Sequence, residues 1–154
     1  MTDLESHTAS RVILATPRAI FRAMVDPEVV AKWRAPDGMS ARLLDFQARA
    51  GGGYRMILTY DDARDQPGKS GEGSDIVRAR FLALEPDERV VEQIQFENAG
   101  PDFTGTMTIE TVLKPVTDGT KVTITATNVP RGISAEDHHK GMESSLKNLA
   151  ILLE

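Results

Sequence analysis

Six consecutive segments with the two-residue periodicity of β-strands constrain the fold of this chain more than any other feature. We predict strands over residues 41–46, 54–60, 74–84, 89–96, 104–113 and 121–127. In the last of these, Val122, Ile124 and Ala126 alternate with a row of threonines. Turn signals such as Asp118-Gly119 and Glu85-Pro86 separate the segments and favour hairpins. The pattern therefore predicts an antiparallel sheet with one face against a core and the other in water.

Helical signals flank this run of strands. Thr16-Pro17 and Asp26-Pro27 each combine an N-cap residue with proline at the first helical position, and Trp33 lies on the apolar side of the second helix. A third helix is predicted from Ser134 to Glu154, with apolar residues recurring at Met142, Leu146, Leu149 and Leu153. With a first strand over 11–14, the order is β-α-α-β6-α. We predict an α+β fold and a single domain over residues 1–154.

One long polar segment interrupts the strands. Asp61 to Ser74 is rich in glycine and charge, and we predict that it is a hairpin loop because similar strand patterns flank it. Gly51-Gly52-Gly53 predicts a turn or bulge immediately before a strand.

Composition excludes several classes of function. A net charge of −5 disfavours non-specific binding to nucleic acid, and the absence of cysteine excludes disulfides and thiolate metal sites. No run of about 18 apolar residues predicts a membrane span, and the acidic residues 1–7 do not resemble a signal peptide. We expect a cytoplasmic protein, a monomer or homodimer, with no cofactor.

The predicted elements leave a question about the interior. The third helix would be about 30 Å long, and a straight helix on a twisted sheet leaves space at one end. Only 5% of the residues are aromatic, so few side chains are large enough to fill that space. A cavity lined by Met, Leu, Ile and Phe is one interpretation, and an ordinary packed core is the other.

Several short strings occur in an order that resembles a known family. They are Ala15–Ala23, Asp26-Pro27-Glu28 with Lys32-Trp33, Gly52–Met56, Glu85–Val91, Asp118–Thr125 and His138-x-x-Gly141-Met142. Together they cover nearly the whole chain and resemble the START-like (SRPBCC, helix-grip) superfamily. Within it they are most similar to the branch related to the C-terminal domain of the activator of the ninety-kilodalton heat-shock chaperone's ATPase (AHSA-like).

The resemblance implies a curved antiparallel sheet wrapped around the C-terminal helix, with a groove that commonly holds apolar small molecules. Members act as lipid or hormone carriers, polyketide cyclases, ring-hydroxylase subunits or chaperone cofactors, so the fold does not select the function. The chain departs from the family at Trp33-Arg34, where Trp-Trp is frequent, and at Met142, where Trp is frequent. Either the pocket is larger and more adaptable, or Met142 repacks the same core.

From these observations we predict binding of an apolar or aromatic small molecule, lipid-, sterol- or polyketide-like, between the sheet and the C-terminal helix. The expected ligand-binding residues are Trp33, Tyr54, Met56, Leu58, Phe81, Glu92, Ile94, Met107, Ile109, Met142 and Leu146. The alternatives are an interaction module that stimulates a chaperone ATPase and a cyclase or dehydratase that uses Glu92. Enzymatic activity is left open, with binding favoured.

Glu92 is the candidate catalytic residue. Strand parity places it between Val90 and Ile94 on an otherwise apolar face, where a carboxylate needs a partner. It could then orient a ligand or act as a general base. A bulge would instead turn it into solvent. Tyr54 and Tyr60 offer phenol donors to a ligand or serve as amphipathic core residues.

A metal site is not predicted. His138 and His139 lie beside Glu136 and Asp137, but adjacent helical residues point about 100° apart, and zinc-binding histidines on a helix are spaced at i and i+4.

Overall fold

The computed structural model describes residues 5–61, 74–97 and 99–154. Its strands are β1 (Glu5–Ile13), β2 (Met39–Leu44), β3 (Gly53–Tyr60), β4 (Ser74–Glu85), β5 (Arg89–Phe96), β6 (Met107–Val116) and β7 (Gly119–Val129). Its α-helices are α1 (Pro17–Val25), α2 (Pro27–Trp33) and α3 (Ala135–Leu153). The predicted order β-α-α-β6-α and the α+β helix-grip architecture are confirmed.

The strands form one seven-stranded antiparallel sheet in the order β1-β7-β6-β5-β4-β3-β2. Apart from β1, strands that are neighbours in sequence are neighbours in the sheet, as short connections require. Val122, Ile124 and Ala126 of β7 are buried on its inner face, as the alternation predicted. The turn between β6 and β7 places Asp118 at φ 63°, a left-handed conformation that Asp tolerates.

Several strand boundaries differ from the predicted ones, and three of the differences have a clear local cause. β1 begins at Glu5 rather than at residue 11, because its polar first half gains its hydrogen bonds by pairing with β7. β2 ends at Leu44 because Asp45 turns the backbone to φ 55°. β6 begins at Met107 rather than at residue 104, since Gly105 at φ 98° separates it from a 3-10 turn over Pro101–Phe103.

The long polar loop predicted over 61–74 lies mostly outside the described residues, which omit 62–73. The strands on its two sides are antiparallel neighbours, with Thr59 opposite Ser74. Residues 1–4, part of the segment 1–7 that was compared with a signal peptide, also lie outside the described residues.

The helices begin where the capping residues predict. Thr16 Oγ accepts from the Ala19 N–H at 3.1 Å, Asp26 Oδ1 from the Glu28 N–H at 3.0 Å, and Ser134 Oγ from the Asp137 N–H at 3.1 Å. Each bond satisfies one of the backbone donors that a helix start leaves unpaired. Among the helices of the described residues, none is long and apolar enough to cross a membrane.

The two halves of α3 have different surroundings. In its second half, Leu146, Leu149 and Ala150 are each 1% exposed and belong to the core cluster that also contains Ile13 of β1 and Ile20 of α1. The first half lies over strands β3 to β7 and does not fill the space beneath it. The site therefore lies under the first half of α3.

Candidate ligand-binding cavity

A cavity of about 740 Å³ lies between the inner face of the sheet and the first half of α3. Strands β3 to β7 form its floor, and the segment from Trp33, the last residue of α2, to Met39 forms one side. Asp37, Asp137 and Lys140 are exposed members of its wall and mark the mouth. The hollow follows from the geometry expected of a straight helix on a twisted sheet.

Most of the predicted ligand-binding residues come together on this wall. Seven of them line it: Trp33, Met56, Leu58, Ile94, Met107, Ile109 and Met142. Four of the six methionines of the chain lie here, because Met39 joins Met56, Met107 and Met142. Methionine has a flexible, polarizable side chain, so this wall can adapt to the shape of a bound molecule.

The other four predicted residues lie behind the wall or away from it. Leu146 is a core residue of α3, 1% exposed. Phe81 is fully buried, and its ring centroid lies 5.7 Å from that of Phe46 and 5.6 Å from that of Tyr54. Phe81 and Leu146 therefore support the cavity from outside its surface. Tyr54 and Glu92 belong to a polar cluster.

This cluster, the buried triad, consists of Arg34, Tyr54 and Glu92. The Arg34 guanidinium donates from Nη2 to Glu92 Oε2 at 3.2 Å and from Nη1 to the Tyr54 hydroxyl at 3.3 Å. Tyr54 in turn donates to Glu92 Oε1 at 2.5 Å. The Arg34 side chain is 17% exposed and lines the cavity, whereas that of Glu92 is 4% exposed and does not. Arg34 is therefore the member of the triad that faces the cavity.

Protonation of the triad follows from its burial and its charges. Burial opposes the charge on Arg34, but the Glu92 carboxylate and the Tyr54 oxygen raise the pKa of its guanidinium above the ordinary value. Burial also raises the pKa of the Tyr54 phenol. The charge of Arg34 lowers this pKa and the charge of Glu92 raises it, and the net effect is an increase. Arg34 is thus a cation and Tyr54 a neutral donor at neutral pH.

Glu92 lies on the buried face, at 3% exposure between Val90 and Ile94. The local bulge is on β4, between Phe81 and Ala83, so the alternation of β5 continues unbroken. Both carboxylate oxygens of Glu92 are already occupied by Arg34 and Tyr54. Because Glu92 is also absent from the cavity wall, the arrangement holds Arg34 in place and does not present a carboxylate to a ligand.

A second set of hydrogen bonds positions the segment that carries Arg34. Ser145 Oγ of α3 donates to the Arg34 carbonyl at 2.8 Å, and Asn148 Nδ2 donates to the Ala35 carbonyl at 3.0 Å. Asp37 N–H donates to Ser144 Oγ at 2.8 Å. These bonds hold residues 34–37 against α3. The backbone that carries the Arg34 guanidinium into the cavity wall is therefore fixed in position.

Arg34 was missed as a site residue by sequence reasoning. The available signal was its position directly after the apolar Trp33. The family that the sequence resembles often carries a second tryptophan at this position. Its partner Glu92 lies 58 residues away, so local periodicity does not reveal the pair. Tyr60, one of two tyrosines considered as donors, lines the cavity, while Tyr54 contacts Arg34 instead.

The histidines near the mouth point to different partners. His138 Nδ1 lies 2.8 Å from His7 Nδ1 on β1, and His139 Nε2 lies 3.1 Å from Glu143 Oε1 along α3. Within residues 5–61, 74–97 and 99–154, no group of three or more His, Cys, Asp or Glu side chains could hold a metal ion.

Comparison with known proteins agrees with this architecture. The family model described as Activator of Hsp90 ATPase homolog 1-like protein matches residues 14–154. The crystal structure of protein CV1439 from Chromobacterium violaceum is 32% identical, covers 97% of this chain and 96% of its own, and superposes with a TM-score of 0.85. Mll3558 from Rhizobium loti is 28% identical, with 97% and 96% covered and a TM-score of 0.75.

A protein from Staphylococcus epidermidis shares the fold at 21% identity, with 99% of this chain and 92% of its own covered and a TM-score of 0.75. No curated protein sequence matches this chain.

Proposed function

Given that this chain belongs to the Activator of Hsp90 ATPase homolog 1-like family, we propose that it binds an apolar or aromatic small molecule in the cavity beneath α3. A lipid-, sterol- or polyketide-like molecule suits the site. The single observation that carries the proposal is the hollow of about 740 Å³ with a mainly apolar, methionine-rich wall. Ligand pockets in proteins typically measure about 300–1,000 Å³ and combine such a wall with a few polar groups.

Burial of apolar ligand surface would supply most of the binding free energy, about 25 cal/mol per Å². Trp33, Met56 and Ile94 are buried side chains of the wall, and a ligand would replace water against them. Arg34 would orient the molecule through its polar end. The methionines would adjust to its shape, which favours acceptance of related skeletons over a single one.

A melting-temperature screen against fatty acids, sterols and polyphenols tests the proposal. A ligand present at about 100 times its Kd adds roughly 2.7 kcal/mol of stability, which corresponds to a shift of about 5–10 °C for a chain of this size. If no compound in a diverse panel raises the melting temperature, the proposal is wrong.

Met142→Trp provides a variant that fills the cavity. Met142 is 6% exposed and lies on the wall, so an indole there should occupy ligand space and reduce the shift. Leu152→Trp is the matched control, because Leu152 lies on the same helix but is 40% exposed and away from the wall. A ligand bound equally by both variants would lie elsewhere on the protein.

The description of the matching family favours a second candidate, stimulation of a chaperone ATPase. Such a module needs an exposed apolar patch. Leu14 and Ile151 are 60% and 70% exposed, and the Leu14 N–H donates to Glu154 Oε2 at 3.0 Å, which places the end of β1 beside the end of α3. Stable apolar exposure of this kind can mark a protein-binding surface.

The ATPase rate of the ninety-kilodalton chaperone, measured with and without this protein, tests the second candidate. We expect Leu14→Ser with Ile151→Ser to remove any stimulation and Met142→Trp to retain it. An unchanged ATPase rate with the wild-type protein would eliminate this function. The cytoplasmic location that such a partner requires stays a prediction.

A further inference from the structure

Arg34 has hydrogen-bonding capacity that the protein itself does not use. A guanidinium carries five N–H donors. Nη1 donates to Tyr54 and Nη2 to Glu92. No acceptor in the described part of the chain takes the Nε–H. The Nε atom is not fully buried either, because it does not occur among the buried side-chain nitrogens without a partner. Since Arg34 lines the cavity, an oxygen atom on a bound molecule can approach a guanidinium N–H that the protein leaves unused.

The positive charge of Arg34 is already balanced. Glu92 lies 3.2 Å from Nη2 and forms a buried ion pair with it. Among the described residues, the rest of the wall carries the carboxylates of Asp37, Asp75 and Asp137 and one lysine, Lys140, which pairs with Glu136 at the surface. Within the described part of the wall, the charge of Arg34 is therefore not available to compensate an anion.

These two features select between ligand chemistries. A carboxylate that accepted from Arg34 would bring a third charge beside the Arg34–Glu92 pair, within an apolar wall, and that charge would be poorly compensated. A carbonyl oxygen accepts the same hydrogen bond from Arg34 and leaves the charge balance of the Arg34–Glu92 pair unchanged. A hydrocarbon without oxygen leaves the donor unpaired once it displaces water from the cavity.

We propose that the cavity selects apolar molecules bearing an uncharged carbonyl oxygen, which accepts from Arg34, over carboxylates of the same carbon skeleton. This inference rests on the proposed function, because it names the chemical class of the ligand for the same cavity. Ketones, esters and quinone-like polyketides belong to this class.

Three compounds with one skeleton test the inference by calorimetric titration: 2-acetylnaphthalene, 2-naphthoate and 2-ethylnaphthalene. At neutral pH the ketone should bind wild-type protein at least about tenfold more tightly than the carboxylate. It should also bind about tenfold more tightly than the hydrocarbon, since a hydrogen bond to a charged group is among the stronger ones.

Glu92→Gln gives the sharpest test, because glutamine keeps a carbonyl for Arg34 but removes the compensating charge. The variant should bind 2-naphthoate at least about tenfold more tightly than the wild type does, with the ketone changed less than about threefold. Glu110→Gln is the matched control on the neighbouring strand, because Glu110 pairs with Arg89 and does not line the cavity. It should leave both affinities unchanged.

The outcomes separate the two proposals. Equal binding of all three compounds, or tighter binding of the carboxylate by wild-type protein, would overturn the carbonyl preference and leave the apolar-binding function intact. Absence of binding by every compound, together with a flat melting screen, would overturn both. If Glu92→Gln does not fold, the ketone-to-carboxylate ratio of the wild-type protein alone decides.

Discussion

Arg34→Met should destabilise the fold strongly, because it leaves the Glu92 carboxylate buried without its cation. The Glu92 side chain is 4% exposed, so water cannot replace the guanidinium that donates from 3.2 Å. Only the Tyr54 hydroxyl would remain as a donor from the triad. Removal of one partner from a buried ion pair typically costs about 3–5 kcal/mol.

The partner variants should behave differently. Glu92→Gln leaves an arginine that is 17% exposed on the cavity wall, where water can reach it, and we expect a loss of only about 1–2 kcal/mol. The double variant Arg34→Met with Glu92→Gln contains no unpaired charge. It should lose at most about 2 kcal/mol, less than Arg34→Met alone.

Urea unfolding and thermal unfolding, both followed by circular dichroism, measure these differences. For a chain of this size, Arg34→Met should lower the melting temperature by about 6–20 °C. Lys147→Met breaks the exposed pair with Asp37, 3.0 Å apart, and serves as a control that should cost no more than about 1 kcal/mol.

Two results would refute this reasoning. If Arg34→Met costs less than about 1 kcal/mol, the carboxylate is hydrated and the pair resembles a surface ion pair. If the double variant is as unstable as the sum of the single ones, the loss arises from packing around the two side chains and not from an unpaired charge.

Further predictions concern pH, backbone and capping. Stability should fall by about 1.4 kcal/mol per pH unit above about pH 10, because Tyr54 ionises there in the unfolded chain, whereas burial raises its pKa in the folded protein. Urea titrations of Tyr54→Phe should lack this part of the pH dependence. Gly53→Ala should cost about 1–3 kcal/mol in chemical denaturation, since its Cβ would collide with the Ala79 carbonyl. Gly100→Ala, which meets no atom, should stay within about 0.5 kcal/mol. Asp26→Ala should lose about 1 kcal/mol through the missing N-cap of α2, and Asp26→Asn should retain it.

Much of the fold could be predicted because its signals are local. The alternation in β7 identified the buried face, and the capping residues Thr16, Asp26 and Ser134 marked the helix starts. Backbone conformation at such places depends on residues only a few positions apart. The boundaries of β1 and β6 were missed because they depend on strand pairing and on the conformation of single turn residues.

The candidate site divides in the same way. Strand and helix periodicity identified seven residues of the apolar wall, since a side chain's face follows from its position in the element. It did not distinguish wall residues from those packed behind them. Phe81 and Leu146 have the same pattern as their neighbours, yet the curvature of the sheet and the placement of α3 enclose them fully.

The chain's own pattern of residues thus determined the order of elements, the inner face of the sheet and the apolar character of what lies beneath α3. Tertiary structure alone decided that this space stays open and that a cation from the end of α2 meets a carboxylate on β5. The reason is physical: periodicity records which way each side chain points, whereas a cavity and an ion pair depend on the distances between elements far apart in sequence. Those distances follow from the twist of the sheet and from the anchoring of residues 34–37 to α3.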